Sequence, residues 1–568
     1  MDCSADPIFA GQSALKSANW QAAKKQFENA LREADTPEAH DGLGLALWWL
    51  NEISAAHEQR TLAYLGYKSN GDLPKSARLA AWLAREQVFL RANVSAMNGW
   101  FGRAFRLLEE TGPCAEEGWV KIYHASMTAA PEGQEQIASG VIETARKYHD
   151  PDLEAFALAV FGSALVAQTR IKEGMNAVDE AMTAVISGEV RDYFVASETF
   201  CVTLSTCELA GDLVRTNHWC ESALKYARRY QCTFLSAYCR TTYGSLLAET
   251  GRWQDAETAL TEAIHTFDTG HHGLRVNAVL KLADLRVSQG RLEEAEVLLG
   301  GYEDYGSSVL PRARLYLAHG ELNLAQAVLE QALQADPSPA LQRAPLLRLL
   351  VDVLLAANDL QSARQRADEL VTLSKLTGSN LFLAQAELAL GQVQRYAGKA
   401  DAVTHLRSAL DHLNVHEGSL LACRVKLELA RTLKDTDRAG AITLAKAALA
   451  GFERMGAAHE ADQTQGLLRE MGTSGKVSPR SHDQLLTRRE EEVLELLAHG
   501  LSNREIASRL VVSAKTVEHH VSQVLGKLGL HHRAEAAAYF FRQPDQRSSP
   551  VDKRSSPADK RSSPADKK

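Results

Sequence analysis

A stripe of polar residues between Lys515 and Gly526 has the composition and spacing that contact with DNA requires. Val517, Val521 and Val524 recur at steps of three and four residues, so they share one helix face that must be buried. The opposite face carries the short or polar residues Lys515, Glu518, His519, Ser522 and Gly526. Since an α-helix fits the major groove of B-DNA, the stripe predicts a DNA-reading helix. An ordinary solvated helix face is the alternative.

Capping residues mark the helices that would position this stripe. Thr487-x-x-Glu490 and Ser502-x-x-Glu505 are capping boxes, in which a hydroxyl and a carboxylate bind the free amides of a helix start. Gly500 follows an apolar run, where a left-handed helix end favours glycine. A further helix is predicted to begin at Ser513, which gives a helix, a tight turn and a helix within residues 485–537.

Four motifs follow one another in this segment. They are Leu486-Thr487-x-Arg489-Glu490-x-Glu492-Val493-Leu494, Gly500-Leu501-Ser502-Asn503-x-Glu505-Ile506-Ala507, Thr516-Val517-Glu518-x-His520-Val521 and Lys527-Leu528-Gly529. Their content and order resemble the DNA-binding domain of LuxR-type (GerE-like) transcription regulators. The resemblance covers about a tenth of the chain. It implies a small four-helix helix-turn-helix domain over residues 485–543 that binds double-stranded DNA as a homodimer.

The resemblance also implies roles for individual residues. The base-facing positions are Glu518, His519 and Ser522. The positions near phosphates are Arg504, Ser513, Lys515, Thr516 and Lys527. The dimerisation helix would present Ala534, Ala537, Ala538 and Phe541 on one side, with packing inside the domain as the alternative. Relatives more often carry Lys or Arg at the base-facing positions, so their operators cannot be transferred to this chain.

Charge is unevenly divided along the 568 residues, whose formal net charge is −8 at pH 7. Residues 486–543 hold eight Lys or Arg against seven acidic residues, and residues 547–568 hold seven against three. The residues before 486 therefore carry about −12. An acidic body of this kind is unsuited to nonspecific nucleic-acid binding, whereas the C-terminal end can tolerate phosphates.

A template of small and large residues recurs before residue 471. Ala23 is followed at +4 and +7 by Phe27 and Ala30, and the same spacing returns at Ala256. Further copies begin at Ala56, Ala295, Ala325, Ala363, Ala402 and Ala441, and weaker ones at Ala96, Ala138, Gly174 and Thr216. About twelve helix pairs are predicted, each of two amphipathic helices, in which a small residue lets the helices approach closely.

Such pairs stack into a solenoid with a concave surface. The pattern resembles tetratricopeptide repeats, with Pro337 at the closing position of one unit. The prediction is therefore an all-α chain with a helical-repeat array over residues 1–471 that senses a ligand or a protein partner. An unrelated helical bundle is the alternative. Residues 472–484 read as a flexible linker, and the repeated RSSPVDK and RSSPADK of residues 544–568 read as a disordered basic tail.

Motifs for catalysis and for cofactor or metal binding are missing from the sequence. The nearest approach to a phosphate-binding loop, at residues 472–477, lacks the glycine spacing and the hydroxyl. We therefore expect no enzyme activity, no cofactor and no metal. The N-terminus lacks a basic region followed by an apolar core, and no apolar run reaches eighteen residues. A cytoplasmic location without membrane contact is expected.

Two clusters leave alternatives open. Cys201, Cys207, Cys220, Cys232 and Cys239 lie near His218, as in a thiol sensor or metal site, although reduced cysteines in helical arrays are usually buried. The second cluster could line a concave binding surface or pack in the core: Trp82, Arg85, Trp100, Arg103, Arg106, Trp119 and Tyr123. The sequence as a whole predicts a bacterial transcription regulator, with a protein-binding scaffold or adaptor as the alternative.

Overall fold

The computed structural model describes residues 6–91, 93–334, 340–413, 418–473, 488–510, 514–528, 530 and 532–542. These residues form α-helices and one short 3-10 helix, Gly306–Ser308, with no strand among them. The predicted all-α class is confirmed for this part of the chain. Two compact units are present, residues 1–475 and residues 476–568.

The first unit is a succession of helices in which neighbours along the chain pack together. They are α1 (Pro7–Lys16), α2 (Trp20–Glu33), α3 (Pro37–Trp49), α4 (Ile53–Ser69), α5 (Leu73–Arg91), α6 (Val94–Glu109), α7 (Ala115–Thr128), α8 (Pro131–Tyr148), α9 (Pro151–Ala167), α10 (Ile171–Ser187), α11 (Tyr193–Ala210), α12 (Leu213–Tyr230), α13 (Thr233–Glu249), α14 (Trp253–Phe267), α15 (His272–Ser288), α16 (Leu292–Leu299), α17 (Val309–His319), α18 (Leu322–Gln334), α19 (Ala340–Ala356), α20 (Leu360–Thr377), α21 (Asn380–Tyr396), α22 (Ala402–His412), α23 (Leu420–Leu433), α24 (Arg438–Met455) and α25 (Ala458–Glu470). Within the described residues, twelve pairs run from α1/α2 to α23/α24, and α25 follows them.

Close packing within a pair depends on a small residue in the first helix and the +4 residue of the template in the second. A Cβ atom added to Gly244 in α13 would lie 2.6 Å from Cγ of Leu260 in α14. The same distance separates a Cβ on Gly391 in α21 from Cγ of Leu406 in α22. Only a residue without a side chain fits at these crossings, so the predicted close approach within a pair is confirmed.

The register of one weak copy was wrong. Ala96 is half-buried, whereas its neighbour Met97 is buried together with Phe101 and Ala104, which lie four and seven residues after Met97. The template therefore starts one residue later in α6, and a methionine takes the position that alanine fills elsewhere. The unbranched thioether fits irregular gaps, which explains why the small-residue pattern missed it.

Several first helices are not amphipathic, contrary to the prediction. α9 buries residues around its whole circumference, including Phe156, Leu158, Val160 and Leu165. In α19 the described side chains are buried or half-buried except for Gln342 and Ala356, whereas α11 keeps Ser205 and Glu208 exposed. A helix that is apolar all round lies inside a larger core rather than on its surface. α9 therefore belongs to the core of the array.

Contacts between distant pairs explain this burial. The indole nitrogen of Trp20, in the first pair, donates to the carbonyl of Tyr230, in the sixth pair, at 3.0 Å. α5 of the third pair packs against α15 of the eighth pair. The turn at Gly251, in the seventh pair, packs against Met455 of the twelfth pair. The array therefore winds with about five pairs per turn, and successive turns pack directly on one another.

The second cluster identified in the sequence divides between core and surface. Trp82, Arg85, Trp119 and Tyr123 are buried. Trp100 is half-buried, with its ring 5.1 Å from that of Tyr64. Arg103 and Arg106 are exposed. Hence the seven residues do not form one binding surface, and core packing is confirmed for the four buried ones.

Arg85 and Glu198 form an ion pair between the third and sixth helix pairs, and both side chains are at least nine-tenths buried. The guanidinium of Arg85 lies 4.2 Å from the ring of Tyr123, in cation–π geometry. Burial lowers the pKa of Arg85. Since the partners are more than a hundred residues apart in sequence, this pair helps fix the winding.

The cysteines are packed as small apolar groups. Cys207, Cys220 and Cys239 are fully buried. Burial raises the pKa of Cys220 to about 12 and that of Cys232 to about 11, which disfavours the reactive thiolate. His218 is exposed, whereas Cys220 on the same helix points inward. In the described ranges, no three His, Cys, Asp or Glu side chains are placed to hold a metal ion together.

None of the described helices combines the length and the apolar character needed to cross a bilayer.

Candidate nucleic-acid interface

The second unit contains four described helices around a small apolar core. They are α26 (Arg488–Ala498), α27 (Asn503–Leu510), α28 (Ala514–Leu528) and α29 (Arg533–Arg542). Val493 and Leu497 of α26, Ile506 of α27 and Val517 and Val524 of α28 are buried together. The apolar periodicity of α28 therefore orients this helix as predicted, with its valine face inward.

The turn between α26 and α27 is fixed by local hydrogen bonds. Gly500 has a φ of +83° and its amide donates to the Leu497 carbonyl at 3.1 Å, so the left-handed helix end is confirmed. The Ser502 amide donates to the Glu505 carboxylate at 2.7 Å, and the Glu505 amide donates to the Ser502 hydroxyl at 3.3 Å. The Ser502 hydroxyl also donates to the Glu505 carboxylate at 2.6 Å, and this bond together with that of the Ser502 amide lowers the pKa of Glu505. The second capping box is confirmed. Thr487, in the first box, lies outside the described residues.

The predicted base-facing side chains lie on the exposed face of α28. Glu518, His519 and Ser522 are all exposed, opposite the buried Val517 and Val524. The Ser522 hydroxyl donates to the backbone carbonyl of Glu518 at 3.0 Å, one helical turn earlier. Its single proton is thus engaged, and its lone pairs remain free to accept.

Two of the predicted phosphate-binding side chains are exposed near helix starts. Arg504 near the start of α27 and Lys515 near the start of α28 are exposed, and Thr516 is half-buried. Ser513 lies outside the described residues, and Lys527 belongs to α28 while its side chain is not described. The starts of two helices therefore bring two cationic side chains to the same unit.

Helix α29 packs against α26 through residues that the sequence reading did not single out. Ala536 is buried, and Tyr539 and Phe540 pack against the core. Ala537 is half-buried. Ala534, Ala538 and Phe541 belong to α29, but their side chains lie outside the described residues. A role for this helix in dimerisation stays a prediction.

Two further residues were missed. Gln523 is exposed on α28, one turn after His519, and the helical period of 100° would have placed it on the polar stripe. Arg533 bonds to the turn before α27. No local pattern indicates that contact, because it joins residues about thirty positions apart.

The family model for bacterial regulatory proteins of the LuxR family matches residues 484–540, the segment that contains α26, α27, α28 and most of α29. Residues 484–540 are a LuxR-type helix-turn-helix domain. The remainder of the chain lies outside this match.

Curated relatives are similar to the LuxR-type domain and its surroundings. The DNA-binding transcriptional activator DevR/DosR of Mycobacterium tuberculosis is 33% identical over 114 residues, 20% of this chain and 44% of that protein. The response regulator protein VraR of Staphylococcus aureus is 48% identical over 59 residues, 10% of this chain and 28% of that protein. The chain thus spans less than half the length of these relatives.

Among solved structures, a chain of the APC/C hetero-tetramer Cut9–Hcn1 covers 93% of this chain and 95% of its own length, with 12% identity and a TM-score of 0.38. The helix pairs of the array are defined by the packing of its own neighbouring helices.

Proposed function

We propose that the chain is a sequence-specific, DNA-binding transcription regulator whose helical-repeat array, residues 1–471, responds to a ligand or protein partner and controls DNA binding by residues 485–543. The observation that carries the proposal is the LuxR-type domain with an exposed polar face on α28. Residues 472–484 serve as the linker and residues 544–568 as a basic tail. The protein acts on DNA in the bacterial cytoplasm, without enzymatic activity.

Base reading by α28 would favour hydrogen-bond donors on the DNA. A carboxylate only accepts hydrogen bonds, so Glu518 suits the amino group of cytosine. Ser522 also acts as an acceptor, because its proton is given to the Glu518 carbonyl. His519 contributes a ring nitrogen whose role depends on its tautomer. An operator half-site with cytosine or adenine amino groups in the major groove fits this set.

Phosphate contacts would come from Arg504, Ser513, Lys515, Thr516 and Lys527. Since residues 486–543 carry a net charge of only about +1, phosphate attraction contributes little without these positioned groups. Pairing of two domains through α29 would double the contacts. A two-fold dimer requires an approximately palindromic operator with half-sites about one DNA turn apart.

Binding-site selection from random duplex DNA with the full-length protein tests the proposal. We expect one enriched motif with two-fold symmetry. An unenriched pool, together with no localised binding in chromatin mapping, would favour the adaptor alternative, in which the repeats bind proteins.

The control exerted by the array has its own test. Residues 485–543 alone should bind the selected operator at low salt, and the full-length protein should bind it more weakly until the effector is present. Loss of all binding in the fragment would make the array part of the DNA-binding surface instead.

A further inference from the structure

Arg533, the first residue of α29, bonds to the turn between α26 and α27. Its Nη1 donates to Oδ1 of Asn503 at 3.1 Å, and its Nη2 donates to the carbonyl oxygen of Leu501. Leu501 follows the left-handed Gly500, and Asn503 is the first residue of α27. One half-buried guanidinium therefore connects the start of α29 with the start of α27.

Helix α27 is short, and apart from the bonds of Arg533 it is held by apolar packing on α28 and α26. It is eight residues long and buries only Ile506 and Ala507 among its described side chains. The capping box formed by Ser502 and Glu505 is local, so it fixes where the helix begins but not how it is aimed. A planar guanidinium that donates to two acceptors restricts both position and orientation.

The positive charge of Arg533 does not itself stabilise helix α27. A cation near a helix N-terminus opposes the helix dipole, which favours negative charge there. The carboxylate of Glu505 offsets this cost: hydrogen bonds from Ser502 lower its pKa most, and the positive charge of Arg533 lowers it further. The arrangement tolerates an electrostatically unfavourable place for Arg533 and gains a fixed geometry between two helices.

We propose that Arg533 is a positioning residue for DNA binding: it aims α27 so that Arg504, the next residue after Asn503, meets a DNA phosphate. The proposal rests on the proposed function and specifies how its phosphate contact is held. Because α29 is the proposed dimerisation helix, Arg533 also sets the distance between the pairing surface and that contact. Arg533 itself bonds to protein atoms and reads no base.

Arg533→Ala should therefore resemble Arg504→Ala. Both should weaken binding to all sequences by about tenfold, the loss of one charge-assisted contact, and leave the selected motif unchanged. Each should reduce the slope of log affinity against log salt by about one. The double mutant should bind no more weakly than Arg504→Ala alone, because Arg533 acts through Arg504.

The experiment measures dissociation constants of the full-length protein for its selected operator across a salt series. The variants are Arg504→Ala, Arg533→Ala and their double mutant. Arg509→Ala, an exposed arginine on the same helix, controls for the loss of one positive charge. Its effect should add to that of Arg504→Ala. Additive effects for Arg504→Ala and Arg533→Ala would overturn the positioning role.

Asn503→Ala is the control that shows whether weak binding by Arg533→Ala results from unfolding of the domain. It removes one of the two acceptors and keeps every charge, so we expect a smaller uniform loss that disappears in the Arg533→Ala background. Wild-type affinity in Asn503→Ala, with weak binding in Arg533→Ala, would assign the loss to charge or folding and overturn the proposal. If the wild-type protein selects no DNA, the proposed function fails; if it binds and Arg533→Ala binds equally well, only the positioning role fails.

Discussion

The two units of the chain place their polar residues in opposite ways. In the array, Arg85 and Glu198 are buried as an ion pair, and Cys207, Cys220 and Cys239 are fully buried. In the LuxR-type domain, a core of a few apolar side chains leaves Glu518, His519 and Ser522 exposed along one helix. The Arg85–Glu198 pair joins distant parts of the array, whereas these three side chains of the domain face outward.

The two units therefore suit different parts of the proposed function. Base reading requires exposed groups on one rigid element, and α28 supplies them. In the array, no residue of α9 is exposed, whereas α11 exposes Ser205 and Glu208.

The largest expected effect concerns the buried ion pair. Arg85→Ala leaves Glu198 charged and without its partner, and should lower the unfolding free energy of the array by about 3–5 kcal/mol. Tryptophan fluorescence during urea denaturation measures this change for the array alone, because all eight tryptophans precede residue 471.

The matched control is Lys121→Ala, which breaks an exposed pair with Glu117. It should cost about 0–1 kcal/mol. Equal losses of unfolding free energy in the two variants would show that the buried ion pair stabilises the array no more than the exposed one.

His271 should make the array sensitive to acid. Burial lowers its pKa from 6.5 to about 4, so the folded array holds it neutral while the unfolded chain takes up a proton. The stabilising effect is complete above pH 6.5 and is lost as pH falls to 4, by about 3 kcal/mol in total.

His271→Gln should make this pH dependence of the fluorescence-detected transition shallower. Burial also lowers the pKa of His124, so part of the slope should remain. An unchanged slope between pH 6.5 and 4 in the variant would show that His271 is not the responsible group.

Two glycine substitutions test packing within a pair. Gly244→Ala forces a methyl group against Leu260 and should destabilise the array by about 1–3 kcal/mol. Gly140→Ala in α8 meets no neighbour within 4 Å and should stabilise it by about 0.5–1 kcal/mol. We expect the two substitutions to change the unfolding free energy in opposite directions. A stabilising Gly244→Ala would contradict the close helix crossing.

Short-range patterns predicted much of both units. The spacing of Ala23, Phe27 and Ala30 indicated the helix pairs, and the Ser502 box and Gly500 marked the helix-turn-helix. Contacts between distant helix pairs escaped prediction, because the pairing of Arg85 with Glu198 depends on how the third to sixth pairs wind. The contact of Arg533 with Leu501 escaped for the same reason, since it requires the fourth helix to fold back onto the first turn.

A further set of expected effects concerns DNA sequence preference rather than stability. Lys515→Ala should weaken binding to all DNA sequences alike. It should also reduce the slope of log affinity against log salt by about one, as expected for a phosphate contact. His519→Ala and Ser522→Arg should each alter discrimination at their own base position by about 1–3 kcal/mol. Arginine at position 522 would supply donors where serine supplies an acceptor, so preference there should move towards guanine.

The most direct test of the central claim is binding-site selection with the full-length wild type, His519→Ala and Ser522→Arg in parallel. If the exposed face of α28 reads the bases, the wild type enriches one motif and each variant changes it at a symmetric pair of positions. Recovery of the same motif by all three proteins would contradict the assignment of this face.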